Sequence, residues 1–514
     1  MRHSIPIDRL GPQGRAMSDA VTACVHCGFC LPSCPTYQEL GEEMDSPRGR
    51  IYLMKGALEG NLDPAQVQPH IDRCLGCMAC ETACPSGVRY HDLLLPYRAR
   101  TEGQGHAGSS GAESADQRSS VTAAQIRRPL VERFRRWLMM QTLPYPSRFR
   151  FAVRSARIAR ALRPITPGAI RPLLDLAPEH LPRAERLPAR IPAVGPRRAR
   201  VALLTGCVQR VMEPAINAAT ADVLSRNGIE VIVPERQGCC GALTWHAGKV
   251  EAARGFARQI FRTFPDDVDA IVVNAAGCGS AMKEYPLAFA GEPDEDVASR
   301  LAERVVDVAV FLDRAGITPP PSLAAPVRVA YHDACHLCHA QQIHAEPRRL
   351  LASIAGLELV ELRDGERCCG SAGTYNIDQP DIAASLGRKK AAAVRNTECD
   401  IVATGNIGCM VQIRKHLSNA ADGPVRRAAI TETPDRIDDP AASSDARGER
   451  QPEGDVRSAA PHAGRRQSVS APSVMHTMQV LSLAYAGKLA PSHAHRATAR
   501  RSSSGSSHRT DQTR

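Results

Sequence analysis

The sequence predicts a multidomain protein of the α+β class: a small, helical, cysteine-rich domain followed by two copies of an α/β domain that is also rich in cysteine. Three observations lead to this prediction. Two dense cysteine clusters lie within the first hundred residues, short apolar runs alternate with helical patterns after residue 200, and that region contains an internal repeat. The chain has 514 residues, of which 43% are hydrophobic, and this is enough for several cores.

The charge and the cysteine content of the chain indicate which classes of function fit this sequence. The net charge is +11, but basic residues are spread along the chain and only 4% of residues are aromatic. A nucleic-acid-binding surface would combine clustered Lys and Arg with aromatic side chains, so we expect no nucleic-acid partner. The sequence has neither an apolar run of 18 residues nor an apolar N-terminal segment, which argues against a spanning helix and a secretory signal. We therefore expect a cytoplasmic protein whose 18 cysteines bind metal rather than form disulfides.

The N-terminal region, assigned to residues 15–100, contains one cysteine motif twice. Each copy reads Cys-x2-Cys-x2-Cys-x3-Cys-Pro. In proteins with two [4Fe–4S] clusters, the first three cysteines of such a run bind one cluster and the fourth binds the other. The spacing therefore predicts two clusters, one held by Cys24, Cys27, Cys30 and Cys84 and the other by Cys74, Cys77, Cys80 and Cys34.

Structural zinc is the alternative for these eight cysteines. Zinc sites usually divide their ligands between two Cys-x2-Cys pairs separated by a long gap, whereas each motif here is one short run. The segment Ser46–Gly60 between the motifs has a helical pattern, so we expect a helical ferredoxin-type domain that carries single electrons. Gly28 and Gly76 should let backbone N–H groups approach the sulfurs.

Segments without a cysteine motif separate or extend the domains. Residues 121–197 are predicted to be a helical connector that contains an amphipathic, basic helix at Val121–Thr142. Residues 472–490 carry an apolar helical pattern and are expected to close the second α/β copy. The remaining polar stretches have no periodicity and are predicted to be a flexible linker at 101–120, a disordered insertion at 418–471 and a disordered basic tail at 491–514.

The α/β region is a duplication, with copies assigned to residues 198–320 and 326–417. In each copy one Cys follows the first apolar run, Cys-Cys-Gly follows the second and another Cys follows the third. The offsets between equivalent positions are nearly constant: 128 residues for the first cysteine and 131 for the last. This period is too long for a solenoid unit and fits a duplicated domain.

The repeated cysteines are candidates for further centres. The carboxyl ends of parallel strands lie at one edge of a sheet, where ligands bind, so each set should converge there. Adjacent cysteines would suit an unusual iron–sulfur cluster, a zinc ion or a redox-active thiol pair, and buried thiols without a cofactor are the structural alternative. The sets are Cys207, Cys239, Cys240 and Cys278 in the first copy and Cys335, Cys368, Cys369 and Cys409 in the second.

Other polar residues cluster around Cys335 in the second copy. They are expected to support metal ligands rather than to bind metal themselves. Two further cysteines, Cys338 and Cys399, have no counterpart in the first copy, so neither is assigned to a centre. The polar residues near Cys335 are His332, Asp333, His336 and His339.

These motifs resemble the iron–sulfur subunit of bacterial glycolate oxidase (glycolate dehydrogenase). The resemblance covers nearly all of residues 15–417, together with 472–490, whereas residues 418–471 depart from the family. Members of that family pair a two-cluster ferredoxin domain with two cysteine-rich domains, which are called CCG domains. The matching stretches include CVHCGFCLPSCPTY, CLGCMACETACPSGVRY, QGCCGAL and CCGSAGTYNI.

The resemblance implies an oxidoreductase subunit that transfers electrons and does not itself oxidise substrate. In the family, FAD-containing glycolate oxidase subunits oxidise glycolate, D-lactate or a related acid. Electrons then leave through the iron–sulfur subunit toward the quinone pool or another membrane acceptor. This chain lacks a Gly-x-Gly-x-x-Gly that opens a βαβ unit, so FAD is expected only in a partner. The basic connector is expected either to lie peripherally on the inner membrane or to pack on the protein itself.

Three related interpretations share these motifs. The chain could serve anaerobic glycerol-3-phosphate dehydrogenase or a lactate-utilisation complex, and both differ from glycolate oxidase in the flavin partner. It could also be a heterodisulfide-reductase-like enzyme with thiol–disulfide chemistry at the CCG cysteines. The residues do not separate these interpretations, because the difference lies in a partner or in what the repeated cysteines bind.

Overall fold

The computed structural model describes residues 3–102, 128–159, 181–418 and 471–491. These residues form a helical N-terminal unit, two connecting helices and two sheets flanked by helices, which confirms the predicted α+β class with a duplicated α/β part. No helix in these ranges is long and apolar enough to cross a bilayer. The predicted linker, insertion and basic tail lie outside the described residues, except for one or two residues at their edges.

Six helices form the N-terminal unit around one apolar core. Met17, Met54, Leu93 and Leu94 are fully buried at its centre. The helix predicted between the two cysteine motifs is present, and the Ser46 hydroxyl caps its first turn by accepting a hydrogen bond from the Gly49 N–H at 2.9 Å. The helices are α1 (Gly14–Thr22), α2 (Pro35–Leu40), α3 (Pro47–Leu58), α4 (Pro64–Asp72), α5 (Ala79–Thr82) and α6 (Tyr90–Glu102).

Two helices, α7 (Leu130–Thr142) and α8 (Pro146–Ala159), pack against each other after the N-terminal unit. The predicted basic helix is described only from Leu130 onward. Part of its basic face packs on the protein, because Arg135 pairs with Asp378 of the second repeat at 2.7 Å and Arg136 pairs with Glu102 at 3.2 Å. The apolar side chains of α7, in contrast, are largely exposed.

The first α/β repeat contains a five-stranded sheet in the order β1-β3-β2-β4-β5. All neighbours are parallel except β1, which is antiparallel to β3. The strands are β1 (Arg190–Ile191), β2 (Ala199–Leu204), β3 (Ile229–Ile232), β4 (Ala270–Val273) and β5 (Val305–Asp307). The helices are α9 (Gln209–Met212), α10 (Ala215–Arg226), α11 (Ala242–His246), α12 (Val250–Thr263), α13 (Ala276–Lys283), α14 (Tyr285–Ala288), α15 (Glu295–Arg304) and α16 (Val308–Ala315).

The second repeat contains a four-stranded, fully parallel sheet in the order β7-β6-β8-β9, which repeats the arrangement β3-β2-β4-β5. The strands are β6 (Val327–His332), β7 (Leu357–Glu361), β8 (Ile401–Thr404) and β9 (Ser473–His476). The helices are α17 (Cys335–Cys338), α18 (Ala345–Ala352), α19 (Tyr375–Asp378), α20 (Pro380–Arg395), α21 (Ile407–Ser418) and α22 (Thr477–Tyr485).

The last apolar segment differs from its predicted form. Sequence periodicity indicated a helix from the start of this segment, but Ser473–His476 is a strand because its backbone pairs with the otherwise open edge of β8. His476 then caps α22, with its Nδ1 accepting a hydrogen bond from the Met478 N–H at 3.1 Å. Helix α22 packs mainly on α10 of the first repeat, and α16 packs on α18 of the second. The last helix of each repeat therefore packs against the other repeat, and the two repeats share one apolar core.

Candidate metal centres

The first N-terminal set converges on a small cavity near the surface. Cys24, Cys27 and Cys30 from the first motif line this cavity together with Cys84 from the second. Cys80, which was assigned to the other set, also contributes to the lining. The first loop turns through positive φ angles at His26 (57°) and Gly28 (87°). The structure thus brings the first three cysteines of one motif beside the fourth cysteine of the other.

The second N-terminal set is more deeply buried. Cys34, Cys74 and Cys77 are each no more than 9% exposed. The Gly76 N–H donates to the Cys74 sulfur at 3.4 Å, as expected for a glycine in the loop. Burial raises the pKa of Cys80 well above its usual range, and the nearby thiols of Cys77 and Cys74 raise it further.

The burial and mutual repulsion of these thiols limit which metal centre the second set can bind. Burial and the neighbouring thiols raise the pKa of both Cys77 and Cys80. The effect of burial on Cys74 is outweighed by Arg50 and Arg98, which lower its pKa. A cationic iron–sulfur core offsets both costs because it supplies positive charge directly to the sulfurs. Arg50 adds a further positive charge, with its Nη1 3.9 Å from the Cys34 sulfur. The donor set and its surroundings therefore fit a [4Fe–4S] cluster.

The cysteines of the first repeat meet at the carboxyl edge of its sheet. Cys207 follows β2, Cys239 and Cys240 follow β3, and Cys278 lies in α13 after β4. The sulfurs of Cys239 and Cys207 are 3.4 Å apart. Gly241 has a φ of 81°, and a Cβ there would lie 3.0 Å from the Ala253 carbonyl oxygen. The Cys-Cys-Gly turn consequently needs glycine both for its backbone conformation and for its close approach to α12.

The second repeat reproduces this arrangement with an additional ligand candidate. A ring nitrogen of His332 and the sulfurs of Cys369 and Cys409 all lie within 4.8 Å of one another, and the three residues are buried. His332 Nδ1 lies 3.0 Å from the Gly365 carbonyl oxygen, which can only accept a hydrogen bond. Nδ1 therefore carries the proton, and Nε2 is the nitrogen able to bind a metal.

The other polar residues predicted around Cys335 have separate contacts. His336 Nδ1 is 3.6 Å from the Cys335 sulfur, so it is a direct neighbour of that thiol. His339 instead contacts the Thr82 hydroxyl of the N-terminal unit at 3.0 Å, and Asp333 pairs with Arg348 at 2.7 Å. These two side chains hold the second repeat together and against the N-terminal unit.

Both CCG cysteine sets line one cavity of about 560 Å³ between the repeats. The sequence predicted two separate edges, and it carried no signal that they face each other. Cys74 of the N-terminal unit and helices α7 and α8 complete the wall. His246 and His336, from different repeats, meet there with ring centroids 5.1 Å apart, and His246 was not singled out by any sequence pattern. Burial, followed by the nearby His336 and Arg98, lowers the pKa of His246 well below its usual range.

A continuous contact joins the second N-terminal set to the second repeat. Cys77 packs in one buried cluster with Cys335 and Cys368, and Tyr375 belongs to the same cluster. The Tyr375 hydroxyl donates to the Arg73 carbonyl oxygen at 2.9 Å, which ties the second repeat to the loop before Cys74. The four cysteine sets therefore form a series from the surface cavity to the cavity between the repeats.

Comparison with known proteins matches both parts of this architecture. The model of the 4Fe-4S dicluster domain matches residues 20–88, and the model of the cysteine-rich CCG domain matches residues 201–283 and 329–414. The chain is 37% identical over 409 residues to the glycolate oxidase iron-sulfur subunit of Escherichia coli K12, covering 79% of this chain and 91% of that protein. The chain belongs to the glycolate oxidase iron–sulfur subunit family.

Other relatives place the family in a wider group. A probable glycolate oxidase iron-sulfur subunit of Bacillus subtilis strain 168 is 36% identical over 76% of this chain and 88% of its own length. One subunit of a fumarate reductase (CoM/CoB) from Methanothermobacter marburgensis is 26% identical over 83% of this chain and 74% of its own length. Members of the glycolate oxidase iron–sulfur subunit family are parts of oxidoreductase complexes, so this chain is an iron–sulfur subunit of such a complex.

Proposed function

We propose that this chain is the electron-transfer subunit of a complex that oxidises glycolate or D-lactate. A separate FAD-containing subunit oxidises the hydroxy acid, and this chain passes the electrons to the quinone pool or another membrane acceptor. The observation that carries the proposal is the series of four cysteine sets, in which Cys77 lies in one buried cluster with Cys335 and Cys368. Such a series suits a relay because each set lies next to another.

The N-terminal ligands are proposed as two crossed sets. Cys24, Cys27, Cys30 and Cys84 would hold one [4Fe–4S] cluster, and Cys74, Cys77, Cys80 and Cys34 would hold the other. The shared cavity supports the first set, and mutual burial supports the second. When bound, the clusters would supply reversible one-electron oxidation and reduction. The protein holds the sulfurs in place, and Arg50 donates toward one of them.

Each CCG set is proposed to hold a further iron–sulfur or zinc centre. The contact between the Cys239 and Cys207 sulfurs supports convergence in the first repeat. In the second repeat, the His332 ring beside Cys369 and Cys409 supports a metal rather than a disulfide, because a ring nitrogen contributes nothing to a disulfide. In the first repeat, Leu204 stands at the position equivalent to His332. The centre of the first repeat would therefore have sulfur ligands alone.

The chain is further proposed to be cytoplasmic and to attach peripherally to the inner membrane. Seven of the thirteen large apolar side chains that are exposed in the described residues lie on α7 and α8, including Phe134, Trp137 and Phe151. Arg154 and Arg157 lie on the same helix pair and form no salt bridge within the described ranges. Aromatic side chains beside unpaired arginines favour the surface of an anionic bilayer.

Copurification from a native source tests the partner assignment. Affinity-tagged chain should retain an FAD-containing protein, and the complex should reduce a quinone analogue when glycolate or D-lactate is added. A chain with Cys77→Ser serves as the control for relay, since it should retain the flavoprotein and fail in quinone reduction. Copurification with a glycerol-3-phosphate-oxidising flavoprotein would contradict the proposal and favour the related complex.

A thiol–disulfide enzyme is the second candidate. The cavity that brings both CCG sets together favours it, because a disulfide inside would contact redox centres on two sides. The isolated chain, supplied with a reduced electron donor and a disulfide, would then form two thiols without any partner. Turnover by the chain alone would support this candidate, and its absence would leave the relay.

A further inference from the structure

The cavity between the repeats has one apolar wall and one polar wall. Helices α7 and α8 contribute an apolar side that includes Met139 and Val153, whereas the opposite side contains the CCG cysteines with His246 and His336. Its volume of about 560 Å³, which a ligand would share with the centres proposed at the CCG cysteines, lies within the range of small-molecule sites in proteins. The cavity can therefore hold an organic molecule with one polar end and one apolar end.

Polar atoms on the lining residues lack partners. Within the described residues, His246 Nε2, His336 Nε2 and Asn376 Oδ1 are buried and form no hydrogen bond. His246 Nε2 is 4.0 Å from the nearest carboxylate oxygen of Glu284, beyond hydrogen-bond distance. Buried polar atoms are normally satisfied, since an unmade hydrogen bond costs about 1–3 kcal/mol. The two ring nitrogens can donate to an acceptor on a ligand, and the Asn376 oxygen can accept from a ligand hydroxyl, so these atoms point to a ligand with a carbonyl or hydroxyl edge.

Charge selects against an anionic ligand. The guanidinium of Arg98 is already bound to the carbonyl oxygens of Cys74 at 2.7 Å and Ile71 at 3.0 Å. Arg136, the other arginine in the wall, pairs with Glu102. A hydroxy-acid carboxylate would thus find no arginine in the described wall whose guanidinium is not already bound to carbonyl oxygens or to a carboxylate, and the apolar wall would desolvate it. A neutral ligand fits better.

We propose that this cavity binds the ring of a lipid-soluble quinone, an inference that rests on the proposed function. One ring carbonyl oxygen accepts hydrogen bonds from both His246 Nε2 and His336 Nε2, whose rings lie side by side, and the apolar part lies against Met139 and Val153. The bound quinone takes two electrons from the centres of this chain and two protons from water, and it leaves as the quinol. Oxidation of the hydroxy acid by the flavoprotein partner supplies the electron pair.

The opposite faces of the same two helices support a ligand that comes from lipid. Phe134, Trp137 and Phe151 are more than half exposed, and Ile158 is 79% exposed. The cavity therefore lies behind a helix pair whose outer surface suits a bilayer interface. A quinone dissolved in that bilayer would have a short way to the cavity.

A binding measurement on the full chain tests the site without relying on turnover. The chain, with its clusters reconstituted anaerobically, is titrated with decylubiquinone, and a photoreactive azidoquinone is then cross-linked and mapped by peptide mass spectrometry. Val153→Trp fills the cavity from α8, so we expect the dissociation constant to rise by about tenfold or more. Ile158→Trp makes the same change on the exposed side of that helix and should leave binding within about twofold.

His246→Phe provides a second variant in case Val153→Trp does not fold. It keeps a ring of similar size and removes the hydrogen-bond donor, so affinity should fall while the iron content stays unchanged. Cross-links should map to α7, α8 or α11, the helix that contains His246. Equal affinity in all variants, or cross-links only elsewhere, would overturn the proposed site. The titration needs no flavoprotein, so it tests the quinone site independently of the proposed function. If the proposed function is wrong, the copurification experiment shows this by yielding a complex that oxidises another substrate.

Discussion

Arg50 and Asp45 form a fully buried ion pair between the two N-terminal cysteine loops, with Nη2 and Oδ1 3.2 Å apart. Arg50 also donates to the Thr36 hydroxyl at 2.9 Å and to the His70 carbonyl oxygen at 2.8 Å. Asp45 accepts from Arg73 as well. This network connects the loop that contains Cys34 with the loop that begins at Cys74, so it holds the second N-terminal set together.

Replacing Arg50 should weaken both the fold and the second centre. Arg50→Gln leaves Asp45 with less positive charge in a buried site, and we expect a loss of about 3 kcal/mol in the free energy of unfolding. The potential of the second centre should also fall, because a positive charge near the Cys34 sulfur favours the reduced state. Chemical denaturation and a redox titration measure the two effects.

Arg48→Gln is the matched control for this prediction. Arg48 lies on the same helix and pairs with Glu43, but both side chains are partly exposed. We expect a change of less than about 1 kcal/mol. Equal losses for the two variants would show that burial of the Arg50–Asp45 pair is not the cause.

Loss of one N-terminal ligand should interrupt the relay. Cys27→Ser or Cys77→Ser should remove a cluster, so that the whole complex no longer reduces quinone or dye. Flavin reduction by glycolate in the partner should survive, since that step precedes this chain. Stopped-flow absorbance follows the flavin, and a dye assay follows the relay.

Cys399→Ser makes the same substitution at a cysteine outside all four sets. Cys399 is buried beside β8, but it does not line either cavity. We expect it to retain both cluster content and dye reduction. Wild-type electron transfer in the Cys27 and Cys77 variants would show that the ligand assignment is wrong.

Acidification should destabilise the segment formed by β9 and α22, because His476 is buried there in its neutral form. Burial lowers the pKa of His476 to about 4, although backbone contacts near Asn274 and Gly405 act in the opposite direction. The unfolded state binds the proton more readily than the folded state. The contribution of neutral His476 to the free energy of unfolding is therefore fully present above about pH 6.5 and is lost as the pH drops toward 4. Between pH 7.5 and 5.5 the loss should be about 1 kcal/mol.

His476→Asn tests the source of this dependence. Asparagine can cap α22 in the same way but does not titrate, so this part of the pH dependence should disappear. Thermal unfolding at a series of pH values measures it. An unchanged pH profile in the variant would assign the effect to another group.

Membrane attachment should depend on the exposed side of α7. Phe134 and Trp137 stack with ring centroids 5.9 Å apart and are more than half exposed. The double variant Phe134→Ser and Trp137→Ser should sediment at least about fivefold less with vesicles that contain anionic lipid. Val194→Ser, which changes an exposed apolar residue outside the helix pair, should sediment like the wild type.

Vesicles without anionic lipid separate the apolar contribution of the exposed aromatic side chains from the electrostatic contribution of the arginines. The wild type should bind them more weakly, because Arg154 and Arg157 would lose their electrostatic attraction. Equal sedimentation of the double variant and the wild type would rule out this surface. Loss of flavoprotein copurification in the same variant would instead identify the surface as a subunit interface.

Local patterns in the sequence predicted much of this molecule. The apolar runs before Cys207 and Cys335 became β2 and β6, and the helical pattern after Ser46 became α3. These predictions succeeded because strand and helix periodicity depends on neighbouring residues. The placement of Cys84 beside the first motif agrees with what the spacing of such motifs leads one to expect, and its assignment as a ligand stays a prediction.

Contacts between distant segments could not be predicted in this way. His246 and His336 are 90 residues apart and belong to different repeats, so only the packing of the repeats brings them together. The placement of His332 beside Cys369 and Cys409 likewise depends on the parallel pairing of β6 with β8. The strand Ser473–His476 forms because β8 has an open edge, which its own sequence does not reveal.

Iron and acid-labile sulfide content of the anaerobically purified chain tests the central claim most directly. Two [4Fe–4S] clusters in the N-terminal unit require about eight iron and eight sulfide atoms per chain, and iron–sulfur centres in the CCG repeats would add to these. Removing one N-terminal ligand should lower both numbers by about four. A folded chain that contains zinc, with neither iron nor acid-labile sulfide, would contradict the account.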